Sequence, residues 1–123
     1  MKKLTTILIL VLASLSMFGQ DFKSIVKAIE KGDMATIEPM LEDLVDYCFN
    51  NEQDLLEKPE FVIKLKSAIE KINPKSSEIM HVADSKADAK YVVAKVFGTS
   101  GDTYRMFVYT EGDKIIEIRF NKE

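Results

Sequence analysis

Residues 90–121 read KYVVAKVFGTSGDTYRMFVYTEGDKIIEIRFN, and the fold is decided in this stretch. Apolar and polar side chains alternate through Lys90–Phe97, Thr103–Thr110 and Lys114–Asn121, which predicts three half-buried strands. The strands are separated only by TSGD and EGD. Connections that short cannot carry a crossover, so consecutive strands must pair antiparallel. Period-two alternation predicts Val92, Ala94 and Val96 facing inward, with Met106 and Val108, and with Ile116, Ile118 and Phe120. The opposite face then presents Tyr91, Val93, Lys95 and Phe97, followed by Arg105, Phe107 and Tyr109, and finally Ile115, Glu117 and Arg119. A fourth strand over Glu78–Ala83, joined through DSKAD, extends the meander upstream.

The residues before the meander have helical spacing. Phe22, Ile25, Val26 and Ile29 fall at i, i+3, i+4 and i+7, one buried stripe that ends at Lys31-Gly32. Asp33 offers an N-cap oxygen to a second helix with Met34, Ile37, Met40 and Leu41 inward. Pro39 inside it predicts a kink or a break into two short pieces. Leu44–Phe49 reads as a strand, Asn50-Asn51-Glu52 as a turn, and Leu55-Leu56 as part of a weak second strand. The longest helix carries Pro59 in its first turn, buries Phe61, Val62, Leu65, Ile69 and Ile72, and ends at Asn73-Pro74. The whole predicts an α+β layer, a curved antiparallel sheet wrapped on about three N-terminal helices.

Composition narrows the function classes. The chain has 123 residues, 46% apolar and 30% charged, with a net charge of −3, and this is one globular domain. It opens MKKLTTILILVLASLSMFG, two lysines before an apolar run of about a dozen residues, the pattern of a secretory signal peptide. Residues 1–19 are therefore expected to be removed, leaving a single domain over 20–123 with no stable membrane anchor, exported to the periplasm or secreted. Loss of Lys2 and Lys3 takes the charge from −3 to −5. With only Arg105 and Arg119 as arginines, the acidic chain has no footprint for nucleic acid. Its one cysteine, Cys48, can form no internal disulfide and sits among apolar neighbours, so a buried, inert thiol is expected.

The runs IVKAIEKGDMATI (25–37), NNEQDLLEK (50–58), NPKS (73–76) and TYRMFVYTEGDKIIEIRFNKE (103–123) resemble a family of small exported Bacteroidetes proteins. That family has the nuclear transport factor 2-like (cystatin-like) fold and no assigned function, so the resemblance implies a fold and carries over no catalytic residue. Enzymes of the wider superfamily use a cavity between sheet and helices, where a carboxylate moves a proton beside a carbonyl and a phenol or acid stabilises the enolate. On that resemblance Asp46, Tyr47, His81 and Tyr104 would line such a pocket in an isomerase- or dehydratase-like enzyme or a small-ligand carrier.

The residues themselves argue against most chemistries. One histidine and one cysteine cannot make a structural zinc site, and no HExxH pair is present, so no metal or other cofactor is expected. No nucleophile-elbow glycines flank a serine, and the glycines of residues 20–123 are single and sit at turns, so no glycine-rich phosphate loop is present. A Cys48–His81 pair is the remaining nucleophilic arrangement. Tyr91–Lys95, YVVAK, is similar to the wedge of cystatin-type inhibitors but lacks its shaping glutamine and glycine. The uniformly apolar inward set favours a filled core and a non-enzymatic binding or assembly module. The outward set mixes aromatics with both arginines, an interface-like composition. Tyr91, Phe97, Arg105, Phe107, Tyr109 and Arg119 are thus expected to form a surface for a homodimer or protein partner, and superfamily members resembling this fold often dimerise through that side of the sheet.

Overall fold

A helix over residues 22–31 (α1) turns Phe22, Ile25, Val26, Ala28 and Ile29 into the core. It stops because Gly32 adopts φ 69°, letting its amide and that of Asp33 reach back to the carbonyls of Ile29 and Ala28 at 3.0 and 2.8 Å. Asp33 caps the next helix, α2 (Met34–Ile37), accepting from the Thr36 amide at 3.3 Å and the Thr36 hydroxyl at 2.6 Å. Pro39 breaks the helix as expected: α2 gives way to a 3₁₀ turn over Glu38–Met40 with the proline at its start. Leu41, expected on that helix, instead opens β1.

The computed structural model describes residues 22–86 and 88–123; the expected signal segment, residues 1–19, lies outside them. The strands are β1 (Leu41–Phe49), β2 (Glu52–Glu57), β3 (Pro74–Lys86), β4 (Ala89–Gly98), β5 (Thr103–Glu111) and β6 (Lys114–Lys122), with α3 (Lys58–Ile72) between β2 and β3. They form one curved sheet in the order β2-β1-β6-β5-β4-β3. Sheet neighbours that are consecutive in sequence run antiparallel, β2 and β3 form the two opposite edges, and the parallel pair, β1 with β6, joins strands far apart in sequence. The Asn50-Asn51 turn closes the β1–β2 hairpin with Asn50 at φ 55°, and its side-chain oxygen accepts from the Lys122 amide at 2.9 Å.

Helix α3 packs on the inward face of the sheet and buries Phe61, Leu65, Ala68, Ile69 and Ile72. Phe61 is fully buried and meets the Tyr47 ring edge-on at 6.2 Å; removing that ring would cost about 3–5 kcal/mol. Asn73 ends the helix in the left-handed conformation, φ 49°. Its carbonyl then accepts both the amide (2.9 Å) and the hydroxyl (2.6 Å) of Thr99, clasping the helix end to the β4–β5 turn. Glu30 of α1 accepts from the Ser77 hydroxyl at 2.6 Å and so fixes α1 against β3.

The predicted inward set holds on β4 and β5 and needs one correction on β6. Val92, Ala94, Val96, Met106, Val108, Ile118 and Phe120 are all buried. On β6, however, Ile115 faces inward and Ile116 outward, the reverse of the simple alternation. The cause is a bulge: Tyr109 pairs with Glu117 but Thr110 pairs with Ile115, leaving Ile116 as the extra residue.

Candidate functional site

The helix-free face of the sheet is built by the outward residues of β1, β6, β5 and β4. Strand register sets them in rows. Asp46, Glu117, Tyr109 and Tyr91 are successive neighbours in one row, and Cys48, Arg119, Phe107 and Val93 in the next. A third row holds Asn121, Arg105 and Lys95. Alternation aims these side chains away from the core, and the β6 bulge adds Ile116 to them.

Aromatic rings run continuously across this face. Tyr91 and Phe107 lie 5.3 Å apart at 30°, Phe107 and Tyr109 stack at 6.1 Å, and His81 of β3 extends the series to Tyr91 at 5.9 Å. Beside them Arg119 donates from Nη2 (2.7 Å) and Nε (3.1 Å) to one oxygen of Glu117. That hydrogen bonding pushes the guanidinium pKa above its already high ordinary value, so Arg119 is a fixed positive charge. Phe107, Tyr109, Ile116, Asp46, Arg105 and Arg119 border a recess of about 490 Å³.

The structure separates the four residues named as a pocket. Asp46 lies on the helix-free face and borders this recess, and His81 stands exposed on the same face toward the β3 edge. Tyr47 and Tyr104 are buried on the opposite, helix-covered face, against Phe61 and Phe49 respectively. Burial is the main cause that raises the Tyr47 phenol pKa, with Glu52 adding to it. Cys48 is buried, its thiol 3.4 Å from the Asn50 carbonyl. Three strands separate β1 from β3, which puts Cys48 roughly 19 Å from His81, beyond any direct pairing.

Between sheet and helices the space is occupied by side chains: Phe61, Leu41, Met106, Ile115, Ile118 and Phe120 are each at most 1% exposed. The recess bordered there by Phe22, Ile25, Met40 and Thr110 measures about 60 Å³, the volume of roughly two waters. Among the described residues no group of three or more His, Cys, Asp or Glu side chains could hold a metal ion, and no helix is long and apolar enough to cross a membrane.

Of the six residues expected to form an interface, Arg105, Phe107, Tyr109 and Arg119 border the recess. Tyr91 joins them through its ring contact with Phe107, and Phe97 lies further along β4, opposite Thr103. Asp46 and Ile116 complete the site without having been expected there. The β1–β6 pairing that delivers Asp46 links distant segments, and the bulge that delivers Ile116 has no local sequence signal.

Residues 22–121 match the family described as "Domain of unknown function (DUF4783)". Among solved structures, a DUF4783 protein from Bacteroides uniformis ATCC 8492 superimposes with a TM-score of 0.73 at 15% identity, over 82% of this chain and 95% of that one. Another, from Bacteroides fragilis YCH46, gives 0.70 at 16% identity, over 80% and 95%. An NTF-2 like protein of unknown function from Silicibacter pomeroyi DSS-3 gives 0.62 at 13% identity, over 92% and 98%. At these identities the likeness shows the fold. No curated protein sequence matches the chain.

Proposed function

The chain belongs to the DUF4783 family, a domain of unknown function with the nuclear transport factor 2-like fold, and on that premise we propose that it is an exported, non-enzymatic binding or assembly module working through the helix-free face of its sheet. The carrying observation is where the open space lies. The layer between sheet and helices, where a ligand carrier or enzyme would hold its substrate, is filled by side chains and has a recess of about 60 Å³, against about 490 Å³ on the helix-free face; a recess of about 530 Å³ between α1 and α3 is bordered by Glu30, Lys31, Lys66, Glu70 and Lys75 and has no aromatic wall. The recess on the helix-free face is walled by Phe107 and Tyr109 and rimmed by Arg105, Arg119, Asp46 and Glu117. Aromatic anchors within a charged rim suit a protein partner, since desolvated rings carry the affinity and the rim sets orientation. Export rests on the amino-terminal sequence, with its paired lysines and apolar run.

Native mass spectrometry of the protein purified from its own host tests this reading, with wild type and Phe107→Glu compared. A complex with itself or another protein that Phe107→Glu dissolves is the expected result. A complex indifferent to that substitution, a retained small molecule, or an uncomplexed wild type would overturn it.

A further inference from the structure

Charge is unevenly shared between the layers of the molecule. Residues 22–31 and 58–75, which build α1, α3 and the start of β3, hold eight lysines and three glutamates, a net +5. Residues 20–123 carry −5 as a whole, so the remainder carries −10. On α1 the lysines are ordered: Lys23, Lys27 and Lys31 are all exposed and recur at i, i+4 and i+8. They form one stripe about 12 Å long. Like charges at that spacing weaken a helix, and among the described residues only Lys27 of the three closes an ion pair, with Glu30 at 3.5 Å. Beyond the end of the stripe, Lys66 of α3 and Lys75 of β3 border the same recess as Lys31, and neither closes an ion pair among the described residues. The acids nearby are Glu30, Asp33 and Glu70. Of these, Glu30 also accepts from Ser77 and Asp33 caps α2.

Apolar side chains stand among these lysines. Lys23 and Lys27 border another recess, about 340 Å³, that Val26 and Ile79 of β3 also border. Val82, in register with the inward-facing Val92, follows on the same side of the sheet and is 50% exposed. Ile63, 70% exposed, lies one turn before Lys66 on α3. A soluble acidic polymer would answer the lysines and leave these apolar groups in water. A bilayer answers both, through its headgroup phosphates and the acyl boundary beneath them. We infer that the outer surface of α1 and α3 docks reversibly on an anionic lipid bilayer, with Lys31, Lys66 and Lys75 around a headgroup phosphate and Lys23 and Lys27 along the headgroup layer.

The surface begins where the chain enters the described structure. The apolar run of the expected signal segment ends at Gly19, four residues before Lys23. A chain emerging from a bilayer therefore brings the lysine stripe to the headgroups first. Distance decides the charge balance. Most of the acidic remainder lies on the strands and turns of the sheet, behind the helices by one helix diameter, about 10 Å. Charges that far away are largely screened at physiological salt, where the Debye length is about 8 Å. The lysines at the surface outweigh the acidic excess behind them. So docked, the molecule keeps its helix-free face pointing away from the bilayer and open to a protein partner.

Vesicle flotation tests it, with protein purified from its own host and vesicles of phosphatidylglycerol mixed with phosphatidylethanolamine, or of phosphatidylcholine alone. The protein should float with the anionic vesicles, stay behind with the neutral ones, and be released at about 1 M salt, where the Debye length falls to about 3 Å. Each lysine near an anionic surface is worth about fivefold in affinity, so Lys75→Gln should cost about fivefold, and Lys23→Gln, Lys31→Gln and Lys75→Gln combined about a hundredfold. Lys95→Gln, on the opposite face of the sheet, should leave binding unchanged. The triple variant relieves the like charges of α1 and should melt no lower than wild type, which separates lost docking from lost folding. Equal binding to both kinds of vesicle, binding that survives high salt, or a triple variant that binds like wild type would overturn the site. So would failure to bind the anionic vesicles, or tighter retention by immobilised polygalacturonate than by those vesicles.

Discussion

Tyr47 shows how one buried side chain ties stability to pH. Its ring packs edge-on to Phe61, and burial raises its phenol pKa above the ordinary value of 10.0. Above that ordinary value the unfolded chain ionises while the folded one keeps its proton. Stability is therefore fully present below it and is lost as pH rises through the folded pKa. Tyr47→Phe keeps the ring contact and removes the titration, so its urea midpoint should fall less than that of wild type between about pH 8 and about pH 11. An equal fall in both would mean that another group governs alkaline unfolding. Gly98 is a second sensitive position, for reasons of space. A Cβ there would stand 2.7 Å from the Ile72 carbonyl oxygen at the end of α3. Gly98→Ala should destabilise by about 1–3 kcal/mol, read as a lower melting temperature.

At the level of the element, Pro39 changes sign between a continuous helix and the observed break. Inside a helix it would remove a hydrogen bond, and Pro39→Ala would stabilise. At the start of a 3₁₀ turn no such bond is lost, and the ring only restricts the unfolded chain. Its carbonyl also accepts from Lys114 Nζ at 3.1 Å, tying the turn to β6. Pro39→Ala should therefore lower stability by about 0.4–1 kcal/mol, seen as a drop of a few degrees in melting temperature. Elements with a strong local signal were legible from sequence: the α3 stripe with its Asn73 stop, the Asn50-Asn51 turn, and the alternation of β4 and β5. The rest depended on partners distant in the chain. Leu41 leaves the helix because β1 finds β6, and the Ile115/Ile116 reversal comes from a bulge opposite Thr110. The candidate site was half legible for the same reason. Phe107 and Tyr109 follow from alternation, whereas Asp46 reaches them only through the parallel pairing of β1 with β6.

For the whole molecule, the expected export carries its own check. Protein recovered from its host should have the intact mass of residues 20–123, and recovery of the full 123-residue chain would refute cleavage. The clasp between Asn73 and Thr99 has a consequence for motion. Thr99 is exposed and lies beyond the end of β4, so its amide would be expected to trade its hydrogen for deuterium as fast as other turn amides do. Instead that amide is held by a carbonyl 26 positions earlier, which is itself fixed by the last turn of α3. Its exchange must wait for the helix end to lift away from the sheet, so the Thr99 amide should decay in step with those of α3 and give a single-site clock for the separation of the two layers.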